Sequence, residues 1–133
     1  MPLLIDTKER ALRIKDLAFE KKAFDLKIFH VEPLVGYTDY FLVCSGRSDR
    51  QVQAIANHIS LTLKKEDDVH CKGTEGESHG QWILMDFGDV VVHIFNVPMR
   101  EVYDLDSLWS DADQVPVEAP AWEAEMRYSL YDY

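Results

Sequence analysis

Residues 79–95 read HGQWILMDFGDVVVHIF, and their alternation constrains the fold more than any other stretch of the chain. They describe two strands that turn at Gly88-Asp89. Ile83, Met85 and Phe87 fall on one side of the first strand, and Trp82, Leu84 and Asp86 on the other. A strand with one wet face alternates apolar with polar residues. This hairpin is mostly apolar on both sides, so both faces of its sheet require a cover. YFLVCS at residues 40–45 is a second continuous apolar run and reads as a buried central strand.

The remaining chain supplies few elements for that purpose. Residues 6–24 read as a helix: Asp6 and Glu9 have capping-box spacing, and Ala11, Ile14, Leu17 and Ala18 form one apolar stripe. A second helix begins with the Ser48/Gln51 box and carries Val52, Ile55, Ala56, Ile59 and Leu63 at helical spacing. LKIFHV at 26–31 suits a strand broken by Pro33 and Gly36, and a further strand is expected over Val69–Lys72 before the loop GTEGESHG. Pro98 favours a helix start, and MREVYDLDSLW completes a short helical region. The predicted order is α-β-β-α-β-β-β-α, an α/β fold with a mixed β-sheet, two main helices and a short C-terminal helix. Two helices cover one face of such a sheet, not two. The second face of the hairpin is then either a partner surface or the resting place of the C-terminal helix and tail, with Trp122 and LYDY as candidates.

The chain has 133 residues, of which 47% are hydrophobic, enough for one domain with a real core. That domain is expected over residues 1–113, with 114–133 as an extension marked by Pro116 and Pro120. Lys and Arg number 14 against 24 Asp and Glu, a net charge of −10. This argues against a phosphate-backbone binder, so little direct nucleic-acid contact is expected, and it suits a basic partner. Cys44 and Cys71 form no CxxC and read as buried free thiols of a reducing compartment. The opening MPLLIDTKER resembles neither a signal peptide nor a membrane span, and a cytoplasmic protein is expected.

Candidate chemistry is sparse. Ser45-Gly46 lies between a strand and a helix, but neither GxGxxG nor GxxxxGK[ST] surrounds it, and a plain turn with an N-cap is the simpler reading. Asp104 and Asp106 have the D-x-D spacing of metal-dependent nucleotidyl transfer, yet they follow Pro98 in a helix-to-turn context, where Asp106 reads as a cap. The five histidines show no HExxH and no i, i+4 pair, and His93 reads as a hydrogen-bonded histidine on a sheet face. No catalytic residue, metal or cofactor is expected. Trp82, Phe87, Tyr103 and Trp109, among carboxylates, have instead the composition of a protein-binding hot spot.

DYFLVCSGRSDRQVQAIANHI, then Glu75-Gly76, then GQWILMDFGDVVVHIF and REVYDLDSLW resemble, in this order, the ribosomal silencing factor family, also called RsfS or Iojap. The resemblance covers about residues 6–113. It implies a nucleotidyltransferase-like α/β fold without catalysis. It implies a translation repressor that binds the large ribosomal subunit through large-subunit protein fourteen and blocks joining of the small subunit in stationary phase or starvation. The same apolar face is expected to self-associate as a C2 homodimer when the ribosome is absent. Trp82, Asp86 and Phe87 match the family's W-x-x-x-D-Y segment, with Phe87 in place of tyrosine. Tyr103, Leu105, Leu108 and Trp109 match its FYDLERLW-like end, and Asp89 and Asp106 are expected as rim charges. Two other readings remain beside it: a metal-dependent nucleotidyltransferase-like enzyme using Asp104 and Asp106, and an adaptor for another basic protein.

Overall fold

The computed structural model describes residues 6–125. Helix α1 spans Thr7–Glu20. Its N-cap Asp6 accepts from the backbone N–H of Lys8, and Glu9 takes no part in that cap. The helix ends at Glu20, short of the expected residue 24, because the chain turns through Lys22 at φ 66° to start strand β1, Phe24–His30. A single turn, α2 (Glu32–Val35), stops at Gly36 and leads to β2, Tyr40–Gly46, buried along its whole length. Helix α3, Asp49–Thr62, begins on Ser48, whose Oγ accepts from Gln51 N at 3.1 Å. The Gln51 side chain caps in return, but on the N–H of Arg47 rather than of Ser48.

The third strand lies further along than expected. β3 is Gly73–Glu75, inside the segment read as loop, and Val69–Cys71 is not a strand. The displacement follows from pairing: Lys72 N donates to Asp86 O, and the ladder with β4 (Trp82–Asp86) begins at Gly73. Strand β5, Val90–Asn96, returns antiparallel to β4 through a turn that holds Gly88 at φ 90°, a left-handed conformation that suits glycine. Two short helices follow: α4, Val97–Tyr103, capped by Asn96, and α5, Leu105–Leu108. A sixth strand, β6 (Asp113–Val115), was not expected; it pairs antiparallel with β1. The division expected after residue 113 therefore falls inside a strand of the sheet.

The sheet is mixed, with order β3-β4-β5-β2-β1-β6. Its centre is the parallel pair β2–β5, in register from Tyr40↔Val90 to Gly46↔Asn96. Both major helices pack on one face. Ala11, Ile14, Leu17 and Ala18 of α1 and Val52, Ile55, Ala56 and Ile59 of α3 meet Ile28, Leu42, Cys44, Ile83, Met85, Val90, Val92 and Ile94 in the main core. Gly46 lets β2 run close beneath α3, since a Cβ there would come 2.9 Å from Val52 Cγ2. Arg13 on α1 pairs with Glu66 and Asp67 just past α3, and Glu20 pairs with His58, so the two helices run antiparallel. Cys44 is fully buried and its thiol is pushed up to about 12 by burial, while Cys71 is only half-buried, with Sγ 3.1 Å from Gly73 O. Among the described residues no helix is long and apolar enough to cross a membrane.

Ile55 stands at the centre of the α3–sheet contact and is fully buried. Ile55→Ala is expected to lower the unfolding free energy by about 2–5 kcal/mol, read as a shifted midpoint with unchanged slope in urea denaturation.

Candidate partner-binding face

The opposite face of the sheet has its own apolar cluster. Strand parity sends Phe29, Phe41, Val43, Val91 and Phe95 to this side, joined by Trp82 and Leu84 of β4. Its cover is light: Met99 of α4, Leu105 of α5 and Trp109 just after it, together with Val35 and Ala112. Among the described residues the expected fold-back comes from the segment after Pro98. Trp122 packs instead edge-on against Phe19 of α1, and LYDY lies outside the described residues.

An unbroken aromatic strip runs along this face. Tyr103 lies 4.6 Å from Trp82, Trp82 stacks on Phe95 at 4.9 Å, and Phe95 stacks over His93 at 6.3 Å. His93 and Trp109 both meet Phe41 in T-shaped contacts, at 5.1 and 5.2 Å, and Tyr37 leans on Phe41 at 6.3 Å. Trp82 Nε1 donates to His93 Nδ1 at 3.2 Å, which assigns the neutral imidazole proton to Nε2. That Nε2 and the Trp109 Nε1 are buried without an acceptor among the described residues. Burial pushes His93 down to about 4, so the ring is neutral at pH 7. The strip is open at both ends: Tyr103 is 50% exposed and Tyr37 69%, while Leu108 on α5 is 66% exposed.

One ionic knot holds the cover in place. Arg100 of α4 grips Asp106 through Nε and Nη2, at 2.9 and 3.0 Å, and donates from Nη1 to Ser45 Oγ at 2.9 Å. Lys27 Nζ of β1 reaches the same carboxylate at 2.9 Å. Burial alone would raise the Asp106 carboxyl, but the bonds from Arg100 and Lys27 overcome it and hold it at about 2. The knot ties α4 and α5 to β1 and β2. Beside it lies a cleft of about 280 Å³ lined by Asp25, Lys27, Ser45, Val97, Arg100, Glu101, Asp104 and Asp106.

The residues expected at an interface divide sharply. Trp82, Tyr103, Leu105 and Trp109 come together on the aromatic face, and Leu108 stands exposed at the end of α5. Phe87 does not: it is 4% exposed and sits in the main core, on the helix side, because it shares the parity of Ile83 and Met85. The motif match had grouped it with Trp82 against that parity. Asp86 is spent on the turn, where Oδ1 accepts from Gly88 N at 2.7 Å. Asp89 pairs with Arg10 at 3.1 Å and Asp106 with Arg100 and Lys27, so neither is an idle rim charge. The cap of α5 is Asp104, which accepts from Ser107 N at 3.4 Å, not Asp106 as expected. The two carboxylates of the D-x-D spacing therefore serve different structural tasks. Among the described residues no group of three or more His, Cys, Asp and Glu could hold a metal ion. Sequence reading missed Phe41, Phe95, Lys27 and Arg100. Phe95 was within reach, since it stands opposite Trp82 in the hairpin register. The knot joins residues up to 79 positions apart and leaves no local signal.

The family model described as "Ribosomal silencing factor during starvation" matches residues 5–130, reaching past residue 113. The chain is 43% identical over 93 residues to the ribosomal silencing factor RsfS of Bacillus subtilis, covering 70% of this chain and 78% of that protein. It is 34% identical over 94 residues to the mouse "mitochondrial assembly of ribosomal large subunit protein 1", covering 68% of this chain and 41% of that protein. A crystal structure of a Chromobacterium violaceum protein superposes with a TM-score of 0.77 at 32% identity, covering 88% of this chain and 98% of the other.

His93 gives a pH signature for this face. Its folded value, about 4, lies below the ordinary 6.5, so the unfolded chain binds the extra proton between those values. Stability is full above pH 6.5 and falls by about 3 kcal/mol as pH drops toward 4. His93→Gln, which keeps an acceptor for Trp82, is expected to remove that part of the slope in urea titrations at pH 7, 5.5 and 4. An unchanged slope would show that His93 titrates normally.

Proposed function

Because this chain belongs to the ribosomal silencing factor family, we propose that it represses translation by docking its aromatic face on large-subunit protein fourteen and blocking the small subunit from joining. The observation that carries the reading is the uneven cover of the sheet. Both long helices lie on one side, while the other side holds an aromatic strip open at Tyr103 and Tyr37. Rigid aromatic anchors at the margin of a packed face are what protein-binding hot spots are made of. The names of the relatives support a ribosomal partner, and the mouse relative's name specifies the large subunit.

In this reading the mechanism is steric. The protein needs only to remain bound while its bulk fills the space the small subunit would occupy, in the cytoplasm and under nutrient shortage. Inhibition follows occupancy, with no turnover. Trp82 is the central anchor: it is held from behind by Phe95 and in its own plane by His93, so little side-chain freedom is lost on docking. Tyr103 and Leu108 extend the contact, and Leu105 and Trp109 support it from beneath. The acidic character favours a basic ribosomal protein over other partners more than it strengthens the final complex. The same face serves for C2 self-association when no ribosome is present.

Trp82→Ala is expected to weaken binding to isolated large subunits by about 30-fold, equivalent to about 2 kcal/mol. Leu61→Ala, on the exposed side of α3, is the control and should bind as wild type. Co-sedimentation with the two variants decides the matter: equal binding by both removes Trp82 from the interface. Sedimentation velocity of the free protein should show a monomer–dimer equilibrium that Trp82→Ala shifts to monomer. A wild-type protein that stays monomeric at high concentration would contradict the shared-face reading.

A further inference from the structure

The chain is acidic, yet one corner of it is not. The antiparallel packing of α1 and α3 brings the C-terminal end of α1 beside the first turn of α3, where Gln51 Nε2 donates to the Lys21 carbonyl at 3.2 Å. Lys21, Lys22, Arg47 and Arg50 gather there from two separate segments, and all are exposed. Arg47 and Arg50 border one open hollow on the surface with Ser48 and Ala54. None of the four has an acidic partner among the described residues; Lys22 lies over the Trp122 ring at 4.6 Å. The nearest acidic side chains in sequence are turned elsewhere, Glu20 to His58 and Asp49 to Asn96. Lys64 and Lys65, by contrast, stand directly before Glu66, Asp67 and Asp68.

We infer that this corner, Lys21, Lys22, Arg47 and Arg50, contacts the RNA phosphate backbone of the large subunit while the aromatic face engages its protein partner. The inference rests on the proposed ribosomal function and adds a second, RNA-facing contact to it. The physical reason is orientation. A body of charge −10 is repelled by a polyanionic particle from nearly every direction. The approach that turns the basic corner toward RNA and the aromatic face toward protein carries the least repulsion. Phosphate contacts of this kind fix position and carry no sequence information.

The test is co-sedimentation of the full chain with isolated large subunits over a range of salt concentrations at fixed magnesium. The variants are Arg47→Glu with Arg50→Glu, and Lys64→Glu with Lys65→Glu. Both change the net charge equally. The first pair sits at the start of α3, where glutamate is favoured by the helix dipole, so loss of binding would not reflect a lost fold. The expected result is at least about tenfold weaker binding at 0.1 M salt for the Arg47/Arg50 variant, with the slope of log affinity against log salt reduced by about 1–2 units. The Lys64/Lys65 variant should stay near wild type. Equal losses in the two variants would mean general charge repulsion and overturn the inference, as would an unchanged Arg47/Arg50 variant. If the wild-type chain itself fails to bind large subunits, the ribosomal reading falls and this contact falls with it.

Discussion

The parallel pairing of β2 with β5 governs everything else in this molecule. A parallel pair cannot be closed by a tight turn; it needs a crossover, here α3 followed by the β3–β4 meander. The chain leaves β2 for α3 on one face and leaves β5 for α4 on the other. With α1 also on the α3 side, the helical cover becomes two long helices against three short ones. The register of the pair then decides which side chains meet the thin cover. Val91, His93 and Phe95 point there because Val90, Val92 and Ile94 point to the helices. A slip of one residue would exchange the two sets and put an aromatic strip beneath α3.

The thin side is not left loose. Trp82, Phe95, His93 and Phe41 form a packed layer, and the Arg100–Asp106–Lys27–Ser45 knot pins α4 and α5 across its edge. The knot's bonds outweigh the desolvation of Asp106, and its further value lies in geometry. It holds Tyr103 and Leu108, whose side chains are largely exposed, in fixed places beside the layer, and a pre-organised face loses less entropy when it docks.

Much of this arrangement was legible in the sequence, and each failure has a physical cause. The two-sided apolarity of residues 82–95 announced a sheet covered on both faces, and the Ser48/Gln51 start and apolar stripe located α3 almost to the residue. β6 escaped because Asp-Gln-Val carries no alternation and precedes Pro116; only its ladder with Ile28–His30 makes it a strand. β3 escaped because Gly73 reads as a loop residue, whereas at a short edge strand the partner supplies the structure. Phe87 departs from the motif match because strand parity sets it with Ile83 and Met85. Asp89 and Asp106, expected as rim charges, are paired within the chain because Arg10, Arg100 and Lys27 become their neighbours only through the fold.

The most direct test of the central claim is a titration of purified small and large ribosomal subunits with this protein, followed by light scattering as the subunits associate. If the aromatic face excludes the small subunit, wild-type protein should abolish association at about one copy per large subunit. A folded Trp82→Ala, Tyr103→Ala double variant should leave association intact at the same concentration. A double variant that blocks joining as well as the wild type, or a wild-type protein that leaves association untouched, would contradict the account.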